Sequence, residues 1–328
     1  MSPENILEVR GLKKYFEAGR PGLFSRNVPQ VHAVDGVNLD LRKSEVIALV
    51  GESGCGKSTL SLLLMGLEDP TEGRITFEGR DITHLNDAQR KGLRRKIQMV
   101  FQDPYESLNP TQTIEEIVAE PLYVHKLDVS KNIVDEKVKK AMEDAGLKPA
   151  EVYLKRHPHE LSGGQRQRVV IASALVLEPE IILADEPVSM LDVSIRAEII
   201  NLLAELRITR QIAVIFITHD LGSVGFFADR VAVMYLGRIV EIGTMLDVLE
   251  KPQHPYTKAL LSVIPVPNPR LRHERIILQG ETPNPINLPT GCRFQPRCPV
   301  AIPACKASDP ALMQISKTQQ AACILLVK

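Results

Sequence analysis

Val46-Ile47-Ala48-Leu49-Val50-Gly51-Glu52-Ser53-Gly54-Cys55-Gly56-Lys57-Ser58-Thr59 decides the fold. Its opening apolar run reads as a buried strand, and the spacing from Leu60 to Leu67 reads as a helix. Between them, Gly51, Gly54 and Gly56 let the backbone turn back so that successive N–H groups face an anion. Lys57 brings a charge for the β and γ phosphates of a nucleotide, and Ser58 a hydroxyl for Mg²⁺. Ser53, Cys55 and Thr59 complete this nucleotide-contacting loop.

The same alternation recurs downstream. Ile181 to Ala184 precedes the helical spacing of Ile195 to Leu206, and Ala213 to Thr218 precedes another turn. Repetition of apolar run and helix predicts an α/β fold, a P-loop ATPase core of buried parallel strands with crossover helices. Between Asp103 and Glu178 the apolar positions Ile114, Ile117, Val118, Val134, Val138 and Met142 follow a helical period, which predicts a helical subdomain over about residues 103–178. From about Lys251 the texture changes. Pro252, Pro255, Pro265, Pro267, Pro269, Pro283, Pro285, Pro289 and Pro296 break any long element, so residues 251–328 read as a small loop-rich C-terminal module.

Composition narrows the partners. Across 328 residues, Lys plus Arg and Asp plus Glu number 40 each, so the overall charge argues for no nucleic-acid partner. The basic cluster Arg90, Lys91, Arg94, Arg95 and Lys96 reads first as a solvated helix face and second as a contact with a partner subunit near lipid headgroups. No apolar stretch approaches a bilayer span, and Glu4, Glu8 and Arg10 stand where a signal-peptide core would be. The expectation is a soluble, cytoplasmic chain whose membrane role comes through other subunits.

Ile181-Ile182-Leu183-Ala184-Asp185-Glu186 puts two carboxylates at the end of a buried strand, the edge where open α/β sheets bind ligands. Asp185 suits Mg²⁺, and Glu186 can orient or deprotonate an attacking water. The alternative is a helix N-cap with an acidic first turn. His219 closes the strand run Val214 to Thr218 and is expected to reach the γ phosphate, unless it is simply structural. Gln102, after Met99-Val100-Phe101, offers an amide to the metal or the water, against the plain reading of a surface turn before Pro104. Further along, Leu161-Ser162-Gly163-Gly164-Gln165 opens a helix. Its glycines and helix N-terminus make a second anion site with no metal carboxylate of its own.

Taken in order, Gly51 to Thr59, Gln102, Leu161 to Gln165, Asp185-Glu186, Ser189-Met190-Leu191-Asp192 and His219 resemble the nucleotide-binding subunits of ATP-binding cassette (ABC) transporters over about the first 250 residues. The resemblance implies that residues 1–250 form the nucleotide-binding domain. It implies further that Ser162, Gly163, Gly164 and Gln165 bind the γ phosphate held by a second subunit, two cassettes enclosing two ATP molecules head to tail. Tyr15 would stack on adenine, with Phe16 beside it and the insertion Glu17 to Gln30 following, and Asp192 would cross the dimer interface.

Phe101-Gln102-Asp103-Pro104 with Ser107-Leu108-Asn109-Pro110, His254-Pro255-Tyr256-Thr257-Lys258-Ala259-Leu260-Leu261 and the cysteine-containing tail resemble the ATPase subunits of oligopeptide and dipeptide importers. Val188-Ser189 and the segment Gly22 to Val37 resemble the second of the two ATPases such systems carry. That branch implies a paralogous ATPase partner, two membrane-spanning permeases, an extracytoplasmic binding protein and a station on the cytoplasmic face of the cell membrane. Related systems import nickel chelates or oligosaccharides. A non-transport ABC protein of translation or DNA repair is the rival from another class.

Cys292, Cys298, Cys305 and Cys323 are separated by five, six and seventeen residues. A reducing cytosol disfavours disulfides, and the paired spacing of ordinary zinc sites is missing. Iron–sulfur cluster, zinc and free thiols all remain open; some importer ATPases of this branch carry a [4Fe–4S] cluster in the tail, which favours the first. The tail can also serve dimerisation or regulation.

Overall fold

The chain's computed structural model describes residues 5–19, 28–127, 130–225, 227–264 and 275–326. Residues 22–27 of the branch-marking segment, most of the Glu17 to Gln30 insertion, and Pro265, Pro267 and Pro269 lie outside the described residues. The chain divides into two compact units whose segments interleave in sequence: residues 42–46 with 84–217, and residues 5–41 with 47–83 and 218–328.

The second of these opens with an antiparallel layer. Strands β1 (Asn5–Glu17), β2 (Gln30–Arg42), β4 (Glu72–Phe77) and β5 (Arg80–Asp81) lie in the order β2-β1-β4-β5. Val9, Leu12, Val34, Leu39, Leu41, Ile75 and Phe77 are buried at alternating or nearly alternating positions, which makes one face of this layer a core face. Strand β3 (Val46–Val50) is buried at every residue, as a strand covered on both faces requires. It feeds the phosphate loop, and helix α1 (Lys57–Leu64) follows.

The unit built on residues 84–217 is helical around three parallel strands. Helix α2 (Asp87–Lys96) starts at a capping box in which Asn86 and Gln89 satisfy one another's backbone N–H, and it ends on Arg94, Arg95 and Lys96, favourable charges at a helix C-terminus. Strands β6 (Ile97–Val100), β7 (Ile181–Asp185) and β8 (Ala213–Thr218) run parallel in that order, Ile97 opposite Ile181 and Ile181 opposite Ala213. Between β6 and β7 come α3 (Pro104–Ser107), α4 (Ile114–Val124), α5 (Lys131–Asp144) and α6 (Gly163–Leu175). Ile114, Val118, Leu122, Val138, Met142, Val169 and Ile171 bury their side chains there. Helix α7 (Val193–Thr209) follows β7 and buries Ile199, Leu202, Leu203 and Leu206.

Residues after 218 return to the unit of the phosphate loop. Strand β9 (Arg230–Tyr235) runs parallel to β3, and β10 (Arg238–Thr244) turns back antiparallel to β9. Helices α8 (Met245–Glu250), α9 (Pro255–Ser262) and α10 (Ala304–Ala307) are short. The proline-rich tail nonetheless adds sheet, because β12 (Gln319–Ala321) pairs antiparallel with β10 and with β11 (Met313–Gln314). The carboxylate of Glu241, fully buried on β10, anchors this junction: it accepts N–H bonds from Gln253 (2.8 Å), His254 (2.8 Å) and the Gln319 amide (2.8 Å). A buried charge is tolerated when several donors meet it.

Candidate functional site

The phosphate loop is shaped by close approaches that exclude side chains. Gly56, the N-cap of α1, sits at φ 104°, and a Cβ there would lie 2.0 Å from the carbonyl oxygen of Ala33. A Cβ on Gly51 would lie 2.2 Å from that of Met234. Gly54 takes φ +77° with open space around it, so its conformation and not crowding calls for glycine. Ser53, Gly54 and Ser58 are exposed at the mouth and Thr59 is half-buried.

Lys57 is buried, and its ammonium donates to the carbonyls of Gly51 (2.8 Å) and Glu52 (3.0 Å). Cys55 turns inward. Its N–H donates to the Glu52 carbonyl (3.3 Å), its carbonyl accepts from Gly237 (2.9 Å), and burial pushes its thiol pKa up. The Cys55 side chain is therefore packed inside the loop, away from solvent.

Glu52 joins the loop to the C-terminal residues, a role its sequence position gave no sign of. Its N–H donates to the Tyr256 hydroxyl (2.9 Å), and its carboxylate accepts from Arg297 (2.8 and 3.2 Å) and from the Thr282 hydroxyl (2.7 Å). Burial alone would raise this carboxyl's pKa, but the bonds from Arg297 and Thr282 outweigh it and hold the group below its ordinary value. Tyr15 is similarly tied. Its hydroxyl donates to Asp35 (2.6 Å), its ring lies 4.2 Å from that of His32, and Asp35 is in turn paired with the buried Arg293. Phe16 instead lies under the Lys14 ammonium, 4.8 Å from the ring centroid. His219 is exposed just past the end of β8, where the next residue, Asp220, donates its N–H to the Thr218 hydroxyl (3.0 Å) and accepts from the Gly222 N–H (2.8 Å).

The carboxylate pair ends β7 in the other unit. Asp185 lies opposite Ile217 in the ladder. Glu186 then leaves the strand at φ 47°, the left-handed region that a side-chain-bearing residue enters at a cost of about 1–2 kcal/mol. Its N–H donates to the Ile217 carbonyl (3.0 Å), and its own carbonyl accepts from the Ser189 hydroxyl (3.1 Å). The Gln102 amide reaches Glu186 Oε2 at 3.4 Å. Two groups distant in sequence are thus brought together here.

The glycine-rich pentapeptide opens α6 as expected. Leu161 is buried, Ser162 is the N-cap, and Ser162 and Gln165 form a capping box, the hydroxyl accepting from the Gln165 N–H (3.3 Å) and the Gln165 side chain from the Ser162 N–H (3.0 Å). A capping box explains this serine and glutamine within the chain itself. The glycines differ. A Cβ on Gly164 would come within 2.6 Å of Ile195, whereas one on Gly163 would meet nothing closer than 3.6 Å. Packing inside the chain accounts for Gly164 and leaves Gly163 without an internal reason. Asp192, the N-cap of α7, makes no side-chain cap bond and is exposed, flanked by Met190 and Val193 at 59% and 80% exposure.

In the tail, the Cys292 N–H donates to the Cys305 carbonyl (2.8 Å), and Gly291, at φ +72°, permits the approach because a Cβ would stand 2.4 Å from that same oxygen. Burial raises the thiol pKa of Cys292 to about 11 and also raises those of Cys298 and Cys323. Among the described residues no group of three or more His, Cys, Asp or Glu side chains is gathered to hold a metal ion, so the expected [4Fe–4S] cluster gains no support from the geometry. Sequence reading also passed over Arg293 and Arg297; their place between Cys292 and Cys298, two cations in a half-buried loop, was the available signal.

Comparison with known proteins agrees with the architecture. Residues 34–189 match the ABC transporter family and residues 240–305 the oligopeptide/dipeptide transporter C-terminal region. The chain is 49% identical to the oligopeptide transport ATP-binding protein AppF of Bacillus subtilis, over 98% of each. With the dipeptide transport ATP-binding protein DppF of Haemophilus influenzae it shares 49% over 97% of this chain and 96% of that one. Among solved structures, the dimeric post-hydrolysis ATP-binding cassette MJ0796 bound to ADP and Pi superposes with a TM-score of 0.64 at 30% identity, over 73% of this chain and 98% of that one. The phosphate loop, the capped glycine-rich helix and the β10-linked tail are therefore those of an ABC ATPase, and the chain belongs to the ATP-binding proteins of oligopeptide and dipeptide ABC transporters.

Proposed function

We propose that this chain binds and hydrolyses ATP to energise the import of peptides, dipeptides or oligopeptides, through an ABC transporter. The observation that carries the reading is 49% identity, over nearly the whole chain, to peptide-transport ATP-binding proteins, in a chain that keeps both the phosphate loop and Glu186. The chain's own residues divide the work. Gly51, Ser53, Gly54, Cys55, Gly56, Lys57, Ser58 and Thr59 hold the phosphates through the loop N–H groups, the lysine ammonium and the hydroxyls. Ser58, Gln102 and Asp185 supply the hard oxygen donors that suit Mg²⁺, which when bound neutralises phosphate charge. Glu186 orients and deprotonates water, with Gln102 restraining its carboxylate, and His219 steadies the γ phosphate. Tyr15 offers its ring to the base. Ser162, Gly163, Gly164, Gln165 and Asp192 face a second cassette; the spare room beside Gly163 and the exposed Met190, Asp192 and Val193 support that assignment.

By the same reading the nucleotide-binding domain covers residues 1–250 with its helical part at about 103–178, and residues 251–328 form the transporter-type tail. The partners are a paralogous ATPase, two permeases and an extracytoplasmic binding protein, with this chain on the cytoplasmic face. No helix among the described residues is long and apolar enough to cross a membrane. An open groove of about 790 Å³, lined by Phe101, Gln102, Glu106, Val124, His125 and Asp185, offers a permease segment both apolar surface and two groups of the site. A [4Fe–4S] cluster on Cys292, Cys298, Cys305 and Cys323 is carried as a cofactor assignment on donor chemistry alone, four soft ligands in one tail. A brown chromophore in anaerobically purified protein would support it, and four titratable free thiols in that protein would end it.

The decisive experiment pairs Glu186→Gln with labelled-peptide uptake in cells lacking the native gene. The variant should keep MgATP binding and lose hydrolysis by about 10²–10⁴-fold, with uptake abolished. Hydrolysis at the wild-type rate would refute the role of Glu186. Restored uptake of a nickel chelate or an oligosaccharide in place of peptide would reassign the cargo.

A further inference from the structure

We infer that the C-terminal tail is a positioning device for the nucleotide site, with Arg297 and Tyr256 clamping the phosphate loop through Glu52. The inference rests on the ATPase reading above and concerns how the loop is held. Glu52 is the second residue of that loop, and both its backbone and its side chain are bound by residues more than two hundred positions away. The Tyr256 hydroxyl accepts its N–H at 2.9 Å, Arg297 grips both carboxylate oxygens at 2.8 and 3.2 Å, and the Thr282 hydroxyl adds 2.7 Å. Glu52 also presents the carbonyl on which Lys57 rests at 3.0 Å and the one that receives the Cys55 N–H at 3.3 Å. Fixing Glu52 thus fixes the peptide units that aim the lysine.

The clamp is itself rigid. The side chain of Arg297 is only 10% exposed, so its bidentate bond is largely shielded from water, where charge-assisted pairs are strongest. Tyr256 is wholly buried in an aromatic nest with Tyr235 (centroids 4.7 Å) and Phe294 (5.4 Å), and Phe294 lies on the same loop as Arg297. At the other end of that loop, Arg293 donates to the Leu236 carbonyl (2.6 Å) and pairs with Asp35, the acceptor of the Tyr15 hydroxyl. One short segment, Cys292 to Cys298, therefore reaches both the phosphate loop and the aromatic residue assigned to the base.

Isothermal titration of MgATP into the full chain tests this, using wild type, Arg297→Ala, Arg297→Lys and the charge exchange Glu52→Arg/Arg297→Glu. The expected result is about a tenfold weaker Kd for Arg297→Ala, about 1.4 kcal/mol, with an unchanged far-ultraviolet circular dichroism spectrum and an affinity partly recovered in the exchange variant. Recovery is the readout that a merely structural arginine would not give. Should Arg297→Ala fail to fold, Arg297→Lys, which keeps the charge and loses the second prong, must still bind MgATP at least about threefold more weakly. Affinity within twofold of wild type in the folded variants overturns the clamp. Absence of MgATP binding by the wild type would instead sink the ATPase reading.

Discussion

Acidification should loosen the phosphate-loop unit through a single buried imidazole. His254 is 2% exposed at the N-cap of α9, and its Nδ1 accepts the N–H of Tyr256 at 3.1 Å, so the neutral ring with its proton on Nε2 is the form that fits. Burial, with a smaller contribution from Lys258, lowers its pKa from 6.5 to about 3. The carboxylate of Glu241 receives the backbone N–H of His254, and Cys292, Arg293 and Asp309 line a cavity of about 200 Å³ together with His254. A base with a depressed folded pKa binds more protons when unfolded. Its contribution to stability is therefore complete above about pH 6.5 and drains as pH falls toward 3. At pH 5 the unfolded imidazole lies about 1.5 units below its pKa, which at about 1.4 kcal/mol per unit makes a loss of roughly 2 kcal/mol relative to pH 7. Urea unfolding at pH 7 and pH 5 measures it, with His254→Asn as the reference, because asparagine caps with an oxygen that does not titrate. The variant should lose about 2 kcal/mol less than wild type between the two pH values. Parallel losses in the two proteins would show that the ring is not held neutral by burial and would refute the argument.

Other outcomes follow from the same geometry. Glu241→Ala should cost at least about 2 kcal/mol in urea unfolding, because the backbone N–H groups of Gln253 and His254 lose their acceptor, while the Gln319 amide keeps the Lys251 and Asp247 carbonyls. Gly56→Ala should abolish MgATP binding in titration calorimetry, since the new methyl must displace the Ala33 carbonyl 2.0 Å away, whereas Gly54→Ala meets no atom within 4 Å and should lose only the roughly 1–2 kcal/mol of a left-handed residue.

The apolar runs of β3, of β7 up to Ala184 and of β8 up to Ile217 announced themselves because a strand covered on both faces leaves no polar alternation to misread. Gly51, Gly54, Gly56, Lys57 and Ser58 were equally legible, since a phosphate loop is local: its glycines, lysine and hydroxyl act over a single turn. The capped start of α6 at Ser162 could be read for the same reason. The left-handed turn at Glu186 was not, because nothing in a glutamate's neighbours along the chain demands φ 47° until the Ile217 carbonyl receives its N–H. Nor did the chain reveal that its proline-rich tail would contribute β12 to the same sheet as β10. The sequence by itself determined the α/β class, the family and the glycine-rich loop between strand and helix, all carried by short-range patterns. Only the tertiary structure decided that Glu52 is gripped by Arg297, that Tyr15 is tied through Asp35 to Arg293, and that His254 is buried neutral. Those pairs are separated by up to 258 positions, and their partners are chosen by packing, which no local pattern encodes.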